Sequence, residues 1–400
     1  PAMNKQGHPP LRVCYFGTYR ANYNRNQIMI AGLRLAGVEV VECHATLWRG
    51  IEDRARAAGG GWLSPVFWGR VIRAYFQLLR RYRQVGDYDV LVVGYPGILD
   101  VFLARLLASL RRKPLVWDVL LSVYEVACER GWQQTKPITV KLLHWLETIA
   151  LRMPDLGLLD TPQYAEWFRQ QYPHLRTPLQ HVLIGADERF FAHPAAMAAP
   201  ASVEELVEAA HSGQACRVLY YGAYLPNHGI RIILEAARAL LEHTHIRFEM
   251  IGQGIEHGLA RELAAQWDLT NVTFVDWLEK HELAQRIQQA DIILGAFGNT
   301  LHSLVTIHNK TYEGLAMGKV VLTGDAPVMR QYFHHGQDVY LCPQADAHSL
   351  AQAILDLSAE PGLRWMIGEN GQRLVREHYT LRHAGEAFRE ILLRLVNNPK

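Results

Sequence analysis

One arrangement constrains this chain more than any other, because it occurs twice: a strand-like run ending in glycine, a polar loop, then a helix. Residues 12–16 lead through Gly17 and a polar loop to an amphipathic stretch over about 26–36. Gly37 closes that stretch, and residues 38–43 are again strand-like. This is a βαβ unit with a glycine at the carboxyl end of its first strand. Residues 217–221 repeat the plan through Gly222, a helix over 230–241, a strand over 247–251 and Gly252. The two opening glycines lie roughly 200 positions apart in a chain of 400 residues, which predicts two Rossmann-like domains. Further strands at 89–94, 115–119, 272–275, 291–296, 319–323 and 339–342 alternate with helical stretches, the rhythm of parallel doubly wound sheets.

The expected boundaries are a first domain over 1–190, a Pro- and Ala-rich linker over 191–201 and a second domain over 202–380. A terminal helix over 381–400 is expected to pack back on the first domain. Hydrophobic residues at 49 % and charged residues at 20 % exclude a disordered chain. A net charge of +2 excludes a general nucleic-acid field, and no basic motif interleaved with aromatics is present. The halves differ, however: 24 basic against 16 acidic residues in 1–200, and 17 against 23 in 201–400, which places any affinity for an anionic surface in the first half. Five cysteines, three of them inside apolar runs, read as reduced core thiols of a cytoplasmic protein. Residues 1–10 lack the build of a signal peptide, and the most apolar stretch, 90–110, is interrupted by Pro96, Asp100 and Arg105, so no membrane span is expected.

The most informative segment for chemistry is 306–324. A polar loop feeds a short helix whose first turn carries Lys310 and Glu313, and Gly318 ends it before a buried strand. The backbone N–H groups of His308, Asn309 and Lys310 would be available at the helix start, where an anionic diphosphate is stabilised. Lys310 adds a mobile positive charge, and Glu313 is an acceptor suited to ribose hydroxyls; an ordinary helix start with an early Glu and a solvated Lys is the plain alternative. Gly252-Gln-Gly254 follows the second strand of its half, so its glycines fit a loop passing close to a nucleotide better than a dinucleotide fingerprint. No HExxH or Cys-x-x-Cys occurs and His334-His335 are adjacent, so no metal site is expected. Nothing resembles a nucleophile elbow or a Walker loop.

On the amino-terminal side, Asp118 stands at a predicted strand's carboxyl end, able to orient or deprotonate an acceptor hydroxyl or simply to cap the next helix. Ser122 and Tyr124 follow it. Arg25 and Asn26 bind phosphate or merely open a helix. Segment 62–83 carries five arginines, six aromatics and no acid in 22 residues. Phe67, Ile72, Tyr75, Phe76 and Leu79 fit one helical face, which either rests peripherally on a membrane or packs on the first domain.

Several motifs together carry a family resemblance: Asn309-Lys-x-x-Glu313-x-Leu-Ala-Met-Gly-Lys-x-Val, Tyr221-Gly222-x-Tyr-x-Pro226-x-x-Gly229, Met250-Ile-Gly252-x-Gly254 and Ala290-Asp-Ile-Ile-Leu294. With Gly17-Thr-Tyr in the first half and Asp160-Thr and Ile184-Gly-Ala-Asp187 before the linker, the chain resembles the retaining GT-B glycosyltransferases of family 4. The resemblance implies two domains facing across a cleft. A nucleotide-diphosphate sugar donor would be held by the second domain, and an acceptor glycan, lipid or small molecule by the first, with no obligatory metal or other cofactor. It implies donor contacts from Gly17, Gly222, His228, Gly252, Gly254, Leu278, Asn299, Thr300, His308, Asn309, Lys310 and Glu313, with Glu313 on the ribose, and acceptor contacts from Arg25, Asn26, Asp118, Ser122 and Tyr124. Catalysis falls to Asp118, Lys310 and Glu313. The chain departs from the pattern at Val305, where the family's first glutamate would stand, and at Ala223 and His228, where its basic pair would. Lys310, Arg231 or Arg25 must then supply the missing charge, and Asn299, Thr300 or His302 the contact to the donor sugar. A sugar-nucleotide epimerase of the same fold and a sugar-nucleotide-binding protein without turnover are the alternatives.

Overall fold

The computed structural model describes residues 10–47, 61, 64–192 and 215–397. Most of the linker expected at 191–201, together with Trp62 and Leu63, lies outside the described residues. The chain divides into two compact units, Pro1–Ile184 with Leu381–Lys400, and Gly185–Thr380.

The first unit is built on β1 (Arg12–Gly17), β2 (Glu39–His44), β3 (Val90–Val93), β4 (Leu115–Asp118), β5 (Leu156–Leu159) and β6 (Leu179–His181). They form one sheet in the order β2-β1-β3-β4-β5-β6, every neighbouring pair parallel. The second unit holds β7 (Cys216–Tyr221), β8 (Ile246–Ile251), β9 (Val272–Val275), β10 (Ile292–Leu294), β11 (Val320–Gly324) and β12 (Tyr340–Cys342). Its order, β12-β11-β10-β7-β8-β9, is again wholly parallel and is the dinucleotide-fold order with its reversal between β7 and β10. Parallel strands are covered on both faces and so are apolar throughout: β3, β4, β5 and β11 are buried at every residue. All five cysteines are free thiols, and four are buried.

β5 and β6 were not expected. Leu-Gly-Leu-Leu is four residues long and Leu-Gln-His three, too short to show a period, and both follow prolines that read as loop. The helix Pro65–Tyr82 corrects the expected face. It buries Phe67, Val71, Ala74, Leu78 and Tyr82, and leaves Ile72, Phe76 and Leu79 exposed and Tyr75 half-buried. A helix with apolar residues on two stripes offers the core either one, and the stripe at spacings of four and three won.

The helix Leu381–Asn397 lies against Asn24–Leu35 inside the first unit. Two glycines permit the contact: a Cβ on Gly385 would stand 1.9 Å from the Gly32 carbonyl oxygen, and one on Gly32 would stand 2.7 Å from the Leu381 carbonyl oxygen. Gly385→Ala is therefore expected to push the helices apart at a cost of about 1–3 kcal/mol, read as a lower denaturant midpoint for the first unit. An unchanged midpoint would mean that the helices do not touch through these glycines.

Candidate functional site

In an open parallel sheet the carboxyl ends of the strands at the order reversal leave a crevice, here beyond β7 and β10. β7 ends in Tyr221 and runs into Gly222 (φ +136°), where a Cβ would stand 3.5 Å from Lys310 Nζ and 3.6 Å from His228 Cε1. Lys310 belongs to the helix Asn309–Ala316, whose N-cap is His308. Gly314 lets this helix settle on the sheet, since a Cβ there would meet Val321 at 2.7 Å and Ile293 at 3.2 Å. The close approach buries Lys310 and Glu313 together.

Lys310 Nζ donates to the Gly295 carbonyl after β10 (3.3 Å), lies 3.4 Å from His228 Nδ1 and sits 4.0 Å over the Tyr220 ring. Tyr220 and His228 share a 2.6 Å hydrogen bond, and Tyr220 also donates to the Ala223 carbonyl at 2.9 Å. The His308 ring stands 5.1 Å from that of His228 and 5.8 Å from that of His302, and His308 Nε2 is 3.1 Å from Asn227 Nδ2. Burial pulls the Lys310 ammonium down to about 7, against the attraction of Glu313. Burial, then Lys310 and the other rings, holds His228 well below the ordinary histidine value; burial, then His302 and Lys310, does the same for His308. Both imidazoles are thus uncharged at neutral pH while Lys310 is poised between its charged and uncharged forms, so the cradle holds bases able to accept protons when an anion arrives.

Of the expected donor residues, Gly222, His228, His308, Asn309, Lys310 and Glu313 come together here. Gly252 and Gly254 border the same loops: a Cβ on Gly252 would strike the Gly222 carbonyl oxygen at 2.0 Å, and one on Gly254 would strike Tyr224 N at 2.5 Å. Thr300 caps the short helix Leu301–Val305, its hydroxyl accepting from Ser303 N at 3.3 Å, while the neighbouring Asn299 is exposed. Leu278 is half-buried in the turn after β9. Arg231 does not join the cradle; it lies exposed on its helix, paired with Glu235 at 2.8 Å. Tyr220, Asn227 and the Gly295 carbonyl escaped the sequence reading, because a strand tyrosine looks like core and a backbone oxygen has no signature.

The residues expected at the acceptor are held inside the first unit. Arg25 Nε donates to both Asp118 oxygens at 2.8 and 2.9 Å, and its other nitrogens donate to the Val182 and Leu159 carbonyls at 3.2 and 3.1 Å. Neither residue of this pair is more than 1 % exposed. The Arg25 guanidinium is thus engaged with Asp118 and two carbonyls of its own unit, and the cap of the next helix is Ser122 rather than Asp118. Asn26 accepts from Tyr15 OH and from the Tyr95 amide, and donates to the Arg20 and Tyr95 carbonyls. Ser122 caps the helix Val123–Glu129 and donates its hydroxyl to Glu147 at 2.6 Å. Tyr124 is half-buried, its ring 4.7 Å from that of His144. Gly17 (φ +130°) packs on the Asp100 carboxylate, which accepts from the Thr18 amide at 2.7 Å. Among the described residues no group of three or more His, Cys, Asp or Glu is placed to hold a metal ion.

Residues 215–360 match the family model described as glycosyl transferases group 1. No curated protein matches the chain. Among solved structures, sucrose-phosphate synthase from Thermosynechococcus elongatus is similar at a TM-score of 0.71 and 15 % identity, covering 98 % of this chain and 100 % of that one. HepE from Anabaena, solved in complex with UDP-glucose, is similar at a TM-score of 0.64 and 13 % identity, covering 97 % and 100 %. A glycosyltransferase from Rickettsia africae is similar at a TM-score of 0.64 and 12 % identity, covering 98 % and 100 %. The chain thus has the GT-B fold of solved glycosyltransferases, and the unit that carries the lysine cradle contains a glycosyl transferases group 1 domain.

Proposed function

We propose that this protein is a retaining glycosyltransferase of family 4 that moves a sugar from a nucleoside-diphosphate sugar to an acceptor hydroxyl. The observation that carries the reading is the buried Lys310 beside Gly222, at the sheet reversal and in the first turn of a helix. In this reading the amides at the start of Asn309–Ala316 and the Lys310 ammonium stabilise the charge that builds on the departing diphosphate, in a site shielded from water. Glu313 accepts from the ribose hydroxyls. Because Val305 replaces a glutamate and the Thr300 hydroxyl is engaged in its cap, the donor-sugar contact falls to Asn299 and His302. Asp118 acts by holding Arg25 rather than by taking the acceptor proton.

UDP-glucose, the ligand of the Anabaena HepE structure, is the first donor to try. Acceptor-dependent release of free UDP is the expected result. Conversion to another UDP-sugar would identify an epimerase instead, and tight binding with neither product would identify a binding protein. Glu313→Ala is expected to weaken UDP binding by about 1.5–3 kcal/mol through loss of charge-assisted hydrogen bonds, with folding retained. Calorimetry on the folded variant checks this, and unchanged affinity would remove Glu313 from the site.

A further inference from the structure

The strands of the first unit step from β2 across β1 to β3, then to β4 and β5, all in one direction, opposite to the step from β1 to β2. Right-handed crossovers therefore place the helices Pro65–Tyr82, Asp100–Arg111 and Pro137–Ala150 on one face of the sheet, and Asn24–Leu35 on the other. The three are neighbours. Tyr82 OH donates to the Leu107 carbonyl at 3.5 Å, the Arg111 guanidinium covers the Tyr82 ring at 4.4 Å, and Arg105 donates to the Met153 carbonyl just beyond the third helix at 3.3 Å.

Among the described residues of the first unit, ten large hydrophobic side chains are exposed, and nine of them lie on these three helices. The first presents Ile72 and Phe76, 69 % and 71 % exposed, with Trp68 and Leu79 on the same outer side. Leu106 and Leu110 continue the surface on the second helix, and Ile138 and Trp145 on the third. The charges are one-sided. These helices carry Arg70, Arg73, Arg80, Arg81, Arg105, Arg111 and Lys141, whereas their two acids, Asp100 and Glu147, are both buried. Arg105 pairs with Asp155 just beyond the third helix at 3.0 Å and Arg70, Arg81 and Arg111 donate to backbone carbonyls, while Arg73, Arg80 and Lys141 are exposed. On the opposite face the helix Leu381–Asn397 balances its arginines with acids, as in Arg382–Glu386 and Arg394–Glu390, and Leu35 is the exposed large hydrophobic there.

We infer that this three-helix layer is a docking surface for an anionic lipid bilayer. Apolar and aromatic side chains enter the headgroup boundary while the arginines around them meet lipid phosphates, the composition of an interfacial surface spread over three helices rather than one. No helix among the described residues is long and apolar enough to cross a membrane, so the contact is peripheral. Docking concerns where the acceptor is met and does not rest on the donor reading.

Co-sedimentation with vesicles of phosphatidylglycerol and phosphatidylcholine, against phosphatidylcholine alone, tests it in the full chain. Binding to the anionic vesicles that weakens at least tenfold in high salt is expected. Ile72→Glu with Phe76→Glu, and separately Lys141→Glu with Trp145→Glu, are each expected to weaken it about tenfold or more; all four positions are exposed, and unchanged circular dichroism and UDP affinity confirm that each variant is folded. A wild-type protein that stays in the supernatant at low salt overturns the inference, as does equal binding to neutral vesicles. A lipid-free dimer that the same substitutions dissociate also overturns it, by assigning the surface to a second copy. Loss in the first pair with none in the second overturns the three-helix layer.

Discussion

Lys310→Met is expected to give a protein that is more stable than the wild type and that holds a nucleoside diphosphate far more weakly. The native lysine titrates near 7 and the unfolded one near its ordinary value of 10.5. Below about pH 7 the folded protein carries the full penalty of a buried ammonium, and between 7 and 10.5 that penalty is relieved as the native state sheds its proton before the unfolded state does. At pH 7 the penalty is up to about 4 kcal/mol, so the variant's advantage is largest at and below neutrality and vanishes near the unfolded lysine's value. Met fills the same space over the Tyr220 ring without the charge. UDP affinity is expected to fall about 100-fold and uridine affinity to change little, since only the diphosphate loses its counter-ion. Equal losses for the two ligands would remove Lys310 from the phosphate role. In the wild type, UDP binding is expected to take up a proton and to weaken roughly tenfold from pH 7 to 8.5 as the ligand must pay to recharge the lysine. Calorimetry in buffers of different ionisation enthalpy reads this directly.

Arg25→Met carries the second large effect, on folding. It leaves Asp118 buried and without its bidentate partner, at a cost of about 3–5 kcal/mol, and frees the Val182 and Leu159 carbonyls as well. Arg25→Lys is expected to recover little, because one ammonium cannot reach a carboxylate and two carbonyls from the guanidinium's fixed fork. Adding Asp118→Leu to Arg25→Met is expected to restore much of the loss by removing the stranded charge. Denaturant unfolding of the three variants decides. If Arg25→Met is neutral, the pair is not what secures the carboxyl ends of β4, β5 and β6.

These two residues also mark how far the sequence could be read. Lys310 and Glu313 were legible because a helix start is a local pattern: polar loop, basic residue, acid three positions on, terminal glycine. Arg25 was not, because its partners lie between 93 and 157 positions away and no local spacing announces them. Asn26 shows the same limit, bonded to Tyr95 across 69 positions. The other ten strands stood out from their surroundings as apolar runs, whereas Leu156–Leu159 and Leu179–His181 take their identity from pairing with neighbours already in the sheet. In Pro65–Tyr82 the helix itself was plain, but two apolar stripes competed for the core, and only the packing of the first unit chose between them.

The helix Leu381–Asn397 makes the first unit discontinuous in sequence, and this has a consequence for synthesis. The glycine-to-glycine contact with Asn24–Leu35 joins residues separated by all of Gly185–Thr380. A ribosome therefore delivers the whole second unit before the first can acquire its last helix. During that interval the surface of Asn24–Leu35 around Gly32, which Leu381–Asn397 covers in the folded protein, stands open on the nascent chain.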